Sequence, residues 1–186
     1  MKRTFDLLLA SLLIFILLVP FCMIAIAIKL SSDGPVLFCS ERVGQGNVLF
    51  KMLKFRSMKV GTPLVGTDLL VDPKNTLTPI GSYLRQWSLD ELPQIWNILQ
   101  GDMSFVGPRP ALFNQVDLIK LRTEKSIHSM VPGLTGWAQV NGRDELNIDD
   151  KVSLDHEYML KQSFNFDLKI LWLTYLKVLR KESVSH

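Results

Sequence analysis

Two adjacent carboxylates, Asp90 and Glu91, are the residues whose types and spacing best suit catalysis in this chain. Arg85 precedes them, and Arg109 follows them between two prolines whose rings fix φ. A guanidinium that is held in one place can bind a phosphate through two parallel hydrogen bonds. The pattern therefore suggests chemistry on an anionic substrate.

The acidic pair also has a purely structural interpretation. Pro93 and Gly101 bound an apolar stretch that predicts a short helix, with the pair at its N-terminal end. That end of a helix favours anions by about 0.3 to 1 kcal/mol, through its dipole and its free N–H groups. Spacing alone does not decide whether Asp90 and Glu91 cap this helix or act as catalysts.

Further basic residues lie in segments that could face the same substrate. Lys54 and Arg56 are two apart on a predicted strand, and they therefore share one face. That face is either an ordinary solvated surface or a phosphate contact. Arg143 follows Gly142, at the end of a stretch that starts with a rigid turn at Pro132.

Several common catalytic designs do not fit the sequence. A glycosidase needs carboxyl groups roughly 5 to 10 Å apart, on either side of a sugar, and adjacent residues suit this poorly. The chain has no Walker GxxxxGK(S/T), no GxSxG and no HExxH, and its cysteines and histidines lack metal-site spacing. Phosphoryl transfer fits what remains: arginines and an oxygen-bound Mg²⁺ neutralise a diphosphate while a carboxylate attacks.

The composition indicates a membrane partner. The net charge of +3 is small and the basic residues are dispersed, so no nucleic-acid partner is expected. Hydrophobic residues make up 47% of the chain, and the excess is concentrated near the N-terminus. Residues 7–28 carry no charge and would form a helix about 33 Å long, enough to cross a hydrocarbon core of roughly 30 Å.

A proline and the flanking charges favour a re-entrant path for this segment. Pro20 removes one backbone hydrogen bond and clashes with the carbonyl of Ile16, so a break is expected there. Lys2, Arg3 and Lys29 place positive charge, which prefers the cytoplasm, at both ends. A simple span is the alternative, and a cleaved signal peptide is disfavoured because the apolar run is too long.

The rest of the chain predicts a small α+β domain that is mostly helical. A β-hairpin is expected from Val36 to Met58, with its loop at residues 44–47. An amphipathic helix is expected over Asp167–Lys181, either in the core or in the membrane interface. We therefore predict a re-entrant membrane helix-break-helix over residues 1–30, which forms one structural unit with a cytoplasmic catalytic domain over residues 31–186.

Four segments of the chain resemble the monotopic phosphoglycosyl transferases, also called bacterial sugar transferases. The resemblance covers essentially the whole chain and suggests the minimal catalytic unit of that family. In chain order, the segments are KFRSM (54–58), LRQWSLDELPQ (84–94), GDMSFVGPRP (101–110) and PGLTGWAQVNGR (132–143).

The resemblance implies transfer of a sugar 1-phosphate from a UDP-sugar to polyprenyl (undecaprenyl) phosphate, with release of UMP. The reaction would be the first membrane step of a bacterial glycoconjugate pathway, at the cytoplasmic face of the inner membrane. Asp90 would attack the sugar-proximal phosphorus, form a covalent phosphosugar and bind Mg²⁺, while Glu91 would position the metal or the acceptor phosphate. A homodimer is compatible with this arrangement. The substrate contacts implied by the resemblance are Lys54, Arg85, Arg109 and Arg143.

The membrane segment departs from the family at one position. The family's hairpin commonly breaks at Ser-Pro, whereas this chain has Val19-Pro20. A serine hydroxyl can satisfy backbone groups that a break frees, and valine cannot. The re-entrant prediction therefore rests on Pro20 and on the flanking charges.

Two other functions fit part of the pattern. A non-catalytic, membrane-anchored module that binds polyprenyl phosphates or nucleotide sugars would use Asp90 and Glu91 only as caps. A signal-anchored extracytoplasmic glycosidase would hydrolyse sugars without a nucleotide product.

Overall fold

The structure, a computed structural model, describes residues 1–63, 75–142 and 146–180. Within these ranges it has four strands: β1 (Leu37–Val43), β2 (Leu49–Phe55), β3 (Ser104–Val106) and β4 (Gly133–Thr135). It also has seven α-helices: α1 (Lys2–Ser31), α2 (Gly81–Gln86), α3 (Gln94–Gln100), α4 (Val116–Glu124), α5 (Trp137–Val140), α6 (Ile148–Lys161) and α7 (Phe164–Leu179). The predicted α+β class is confirmed.

Helix α1 is continuous through Pro20, so the predicted helix-break-helix is not present as two separate helices. A proline removes only its own backbone hydrogen bond, and the turns on either side keep theirs. Of the described helices, α1 is the one that is long and apolar enough to cross a membrane. The re-entrant path through a bilayer stays a prediction.

The N-terminal end of α1 is fastened to the globular part by polar contacts. Lys2 Nζ pairs with Asp167 Oδ2 on α7 at 2.5 Å. Arg3 donates to the carbonyls of Ile98 and Leu99, at 2.5 and 2.9 Å. Because the last carbonyls of a helix have no partner within the helix, Arg3 caps the C-terminal end of α3.

The C-terminal end of α1 contacts the same globular part. Ile28 is fully buried in a cluster with Phe55 of β2. The chain leaving α1 is held by Arg56, which donates to the carbonyl of Ser32 at 2.8 Å and to that of Asp33. Both ends of the apolar helix are therefore integral to one folded unit.

The predicted hairpin is confirmed by the antiparallel pair β1–β2, in which Leu37 lies opposite Phe55 and Val43 opposite Leu49. The second strand ends at Phe55 and does not continue to Met58 as predicted. Arg56 therefore leaves the strand and turns to the end of α1, while Lys54 stays on the strand. The two residues therefore have different hydrogen-bond partners, Glu91 for Lys54 and Ser32 for Arg56.

The second sheet is the parallel pair β3–β4, which the sequence did not predict. It explains two glycines of the PGLTGW segment, because the backbones approach too closely for a side chain. A Cβ on Gly133 would lie 2.1 Å from the nitrogen of Gly107, and a Cβ on Gly136 would lie 2.1 Å from the Gly107 carbonyl oxygen.

Helix α7 confirms the core alternative for one of its faces, and its placement in a membrane interface stays a prediction. It starts before the predicted boundary, where Ser163 Oγ accepts a hydrogen bond from the Phe166 N–H. Its Ile170 is fully buried, while its Trp172 is 59% exposed. One face therefore packs in the core, and the opposite face leaves large apolar side chains uncovered.

Asn97 of α3 joins this helix to the free edge of β2. Its side chain is 1% exposed; Oδ1 accepts from the Leu53 N–H at 3.0 Å, and Nδ2 donates to the Lys51 carbonyl at 2.8 Å. These are the hydrogen bonds that a neighbouring strand would supply. The amide therefore fixes the position of β2 relative to α3.

We predict that Asn97→Ala lowers the free energy of unfolding by about 1 to 3 kcal/mol, because two backbone groups of β2 lose their partners. Denaturant unfolding of the detergent-solubilised protein measures the change. The control is Asn141→Ala, which removes an exposed amide that donates to the Trp137 carbonyl. Equal stability of the two variants would contradict this role of Asn97.

Candidate active site

Asp90 and Glu91 lie in a single turn of 3₁₀-helix, Leu89–Glu91, just before α3. The turn follows Ser88, whose φ of 54° is unusual for a residue other than glycine. Both acids are buried, with 7% and 8% of their surface exposed. The Ser88 side chain makes no capping bond to this turn.

Glu91 binds two cations through one oxygen. Its Oε1 accepts from Lys54 Nζ at 2.8 Å and from Arg109 Nη2 at 2.8 Å. Three residues predicted from the sequence are thereby brought together from distant segments. The carboxylate of Glu91 serves as the counter-ion of two basic side chains, a role beyond helix capping.

Lys54 reaches this site from β2. Burial lowers the pKa of its ammonium group, and the negative charge of Glu91 opposes that shift. A partly desolvated cation needs an anionic neighbour to stay charged. The pairing of Lys54 with Glu91 therefore preserves a positive charge in the site.

The two remaining substrate contacts predicted from the sequence are Arg85 and Arg143. Arg85 stands in the last turn of α2 and lines the cleft described below. Arg143 lies outside the described residues.

A cleft of about 770 Å³ opens over the acidic pair. Such a volume suits a nucleotide-sized ligand. Among the described residues, its acidic lining consists of Asp90, Glu91 and Asp117. Its basic lining consists of Arg42, Lys54, Arg56, Lys59, Arg85, Arg109, Arg122 and Lys151. The excess of positive charge favours an anionic ligand.

Arg42 adds a cation that was not predicted from the sequence. It lies on β1, and its Nη1 donates to the Pro110 carbonyl at 3.3 Å. Burial, together with the charge of Arg109, lowers its pKa to about 10, while Glu91 acts in the opposite direction. The guanidinium groups of Arg42 and Arg109 repel each other, and one carboxylate lies beside them. A bound anion would reduce this repulsion.

The described residues contain no cluster of three side chains that could hold a metal by themselves. Mg²⁺ does not require one, since it is commonly bound by one or two carboxylates together with substrate phosphates. Asp90 supplies such a carboxylate in the cleft, whereas Glu91 is paired with two cations. The donor set fits a Mg²⁺ ion held jointly by Asp90 and a bound diphosphate.

Comparison with known proteins identifies the family. The family model described as "Bacterial sugar transferase" matches residues 1–181. The chain belongs to the bacterial sugar transferase family. The membership predicted from the four segments is confirmed, and the family match extends over α1 as well as the globular part.

Three relatives illustrate the family. The UDP-glucose:undecaprenyl-phosphate glucose-1-phosphate transferase of Escherichia coli (strain K12) is 41% identical over 95% of this chain. The undecaprenyl-phosphate galactose phosphotransferase of Salmonella typhimurium is 37% identical over 98% of it. A Bacillus subtilis (strain 168) sugar transferase, EpsL, is 41% identical over 99%. The chain spans 40%, 41% and 90% of these relatives, respectively.

The residues that support the site from behind were not predicted from the sequence. Asn97 fixes β2, which carries Lys54, and Arg42 and Arg122 donate to the backbone around Arg109. Arg122 pairs with Asp155 of α6. The sequence offered no signal for these roles, because each depends on which elements pack together.

We predict that Glu91→Gln lowers the free energy of unfolding by about 1 to 3 kcal/mol, since Lys54 and Arg109 keep their charges without the carboxylate. Denaturant unfolding at neutral pH measures this. Glu157→Gln is the control, because Glu157 pairs with Lys161 near the surface, where a salt bridge contributes about 1 kcal/mol or less, and a Gln side chain can still accept from Trp137 Nε1. A Glu91 variant as stable as the control would show that the buried ion pairs are not needed for folding.

Proposed function

We propose that this protein transfers a sugar 1-phosphate from a UDP-sugar to polyprenyl phosphate and releases UMP. The observation that carries the proposal is the buried Asp90–Glu91 pair in a cleft with excess positive charge. The names of two relatives supply the class of substrates, sugar phosphates and undecaprenyl phosphate. Those names differ in the sugar, glucose or galactose, so donors of both kinds belong in the assay.

The chemistry proceeds by two displacements at one phosphorus atom. A carboxylate oxygen of Asp90 attacks the sugar-proximal phosphorus, the bond to the UMP oxygen breaks, and UMP leaves with the bonding electrons. An oxygen of polyprenyl phosphate then attacks the same phosphorus and releases the carboxylate. The product, a polyprenyl diphosphate sugar, would be the substrate for later sugar additions in a glycoconjugate pathway.

The contacts of Glu91 support this division of roles within the pair. One oxygen of Glu91 binds Lys54 and Arg109, and two cations on one carboxylate reduce its nucleophilicity. We therefore assign the attack to Asp90 and a supporting role to Glu91. Arg85 and Arg109, with Arg143 as a sequence-based candidate, would stabilise the negative charge of the diphosphate.

A bound Mg²⁺ would neutralise part of the charge on the diphosphate and on the departing UMP. Asp90 is the residue that we propose as a ligand of this Mg²⁺. The chain's own cations surround the same site, so they and the metal would act on the same phosphates.

We further propose that α1 anchors the protein in one face of the inner membrane. Both ends of the helix contact the same globular part, through Lys2 and Arg3 at one end and Ile28 at the other. A span would carry one end to the opposite side and break one set of these contacts. The basic residues near both ends favour the cytoplasmic face.

Large apolar side chains left exposed on α1 and α7 support the same orientation. Phe15 of α1 is 81% exposed, and Trp172 of α7 is 59% exposed. Exposed apolar surface of this extent is typical of proteins that insert into a bilayer interface. The cleft would then lie close to a lipid-linked acceptor.

We predict that Asp90→Asn abolishes UMP release and the trapping of a phosphosugar adduct, because an amide cannot replace the attacking carboxylate. The assay combines undecaprenyl phosphate, Mg²⁺ and a panel of UDP-sugars, and mass spectrometry detects the adduct. Asp149→Asn, an exposed change on α6, is the control and should keep full activity. Turnover by Asp90→Asn at the wild-type rate would reject Asp90 as the nucleophile. Undiminished activity of the wild type in EDTA would reject the requirement for Mg²⁺.

We predict that a cysteine at position 4 is labelled only from the cytoplasmic side. The variant is Thr4→Cys, combined with Cys22→Ser and Cys39→Ser to remove the two exposed native thiols. A membrane-impermeant maleimide should label it in inverted vesicles and leave it unlabelled in intact cells. Labelling in intact cells would contradict the cytoplasmic location proposed for the N-terminal end of α1.

A further inference from the structure

The backbone that carries Arg109 is hydrogen-bonded at every carbonyl from Pro108 to Ala111. In order, the four donors are the Gly133 N–H at 2.9 Å, Arg122 Nη1 at 2.7 Å, Arg42 Nη1 at 3.3 Å and the Val43 N–H at 2.9 Å. Two of these donors are guanidinium groups from elements distant in sequence. The shorter of the two guanidinium contacts is the one to the carbonyl of Arg109 itself.

The flanking prolines do not fix this carbonyl. Their rings fix φ of Pro108 and Pro110, and Pro110 restricts Arg109 to an extended region of backbone conformations. Within that region ψ of Arg109 still varies, and this angle sets the direction of its carbonyl and of the chain after it. The hydrogen bond from Arg122 holds the peptide plane that the prolines leave adjustable.

Arg122 is itself held by a buried acid. Its Nε and Nη2 donate to Asp155 Oδ2 at 3.0 and 2.5 Å, and Asp155 is 1% exposed. The guanidinium fork therefore joins α4 and α6 while its remaining nitrogen reaches Arg109. Because Asp155 balances the charge of Arg122, the pair adds no net charge beside Arg109 and Arg42.

We propose that the Arg122–Asp155 ion pair positions Arg109 for its contact with Glu91 and with the substrate phosphates. Arg122 acts through Arg109 and is a positioning residue. The inference rests on the proposed function, which assigns Arg109 to the substrate. The competing explanation is that the pair only joins α4 to α6, which well-packed apolar side chains could do as well.

A double-mutant cycle separates the two explanations. Arg122→Gln should lower kcat/KM by about 10- to 100-fold, since a small misplacement of a substrate-binding group has effects of that order. It should change the same parameter, kcat or KM, that Arg109→Gln changes. In the double variant, the loss should equal that of Arg109→Gln alone within about twofold. Losses that multiply would show that Arg122 acts independently of Arg109 and would overturn the proposal.

Asp155→Asn provides a second route if Arg122→Gln folds poorly. It keeps the shape of the side chain but removes the charge that holds Arg122, so it should show the same lack of additivity with Arg109→Gln. The matched control is Asp167→Asn, which removes a buried carboxylate paired with Lys2, outside the cleft lining. Its effect should multiply with that of Arg109→Gln.

A spectroscopic measurement tests the inference even if no transfer is found. In protein labelled with ¹⁵N-arginine, the Nε–Hε signal of Arg109 is assigned by its loss in Arg109→Gln. This signal should shift or broaden in Arg122→Gln and in Asp155→Asn, and stay in place in Asp167→Asn. An unchanged signal in the first two variants would overturn the positioning role, whereas absent UMP release by the wild type would overturn only the proposed function.

Discussion

The site depends on a single carboxylate that binds two cations from different parts of the chain. Glu91 brings Lys54 of β2 and Arg109, which follows β3, to one point beside Asp90. Each of the three side chains is partly removed from water, so loss of Glu91 would leave the two cations without their shared counter-ion. The same constraint makes Glu91 the counter-ion of two basic side chains beside Asp90.

Buried polar side chains satisfy backbone groups that additional strands would satisfy in a larger sheet. The two described sheets have only two strands each, which leaves strand edges to be satisfied by other groups. Asn97 covers an edge of β2, and Arg42 and Arg122 bond to the backbone around Arg109. Such contacts are directional, so they fix side-chain positions more closely than apolar packing alone would.

The apolar N-terminal helix is part of the same folded unit. Ala10 is fully buried in the main core cluster, and Ile28 is fully buried in another cluster. Arg3 caps α3, the helix that follows the acidic pair. The apolar helix and the candidate site therefore share supporting elements. Under the proposed function, these elements would hold the lipid-linked acceptor and the acidic pair at a fixed distance from each other.

The sequence by itself determined the hairpin, the apolar helix, the acidic pair and the family, because these depend on local patterns and short segments. It also indicated Lys54, Arg85 and Arg109 as substrate contacts, but it did not show which of them contact Glu91. The tertiary structure decided that Glu91 pairs with Lys54 and Arg109, that Arg56 binds the end of α1, and that Asn97 and Arg122 bond to the backbone of β2 and of Arg109. Those roles depend on contacts between residues far apart in the chain, and a side chain's type and neighbours in sequence do not specify which distant group it will meet.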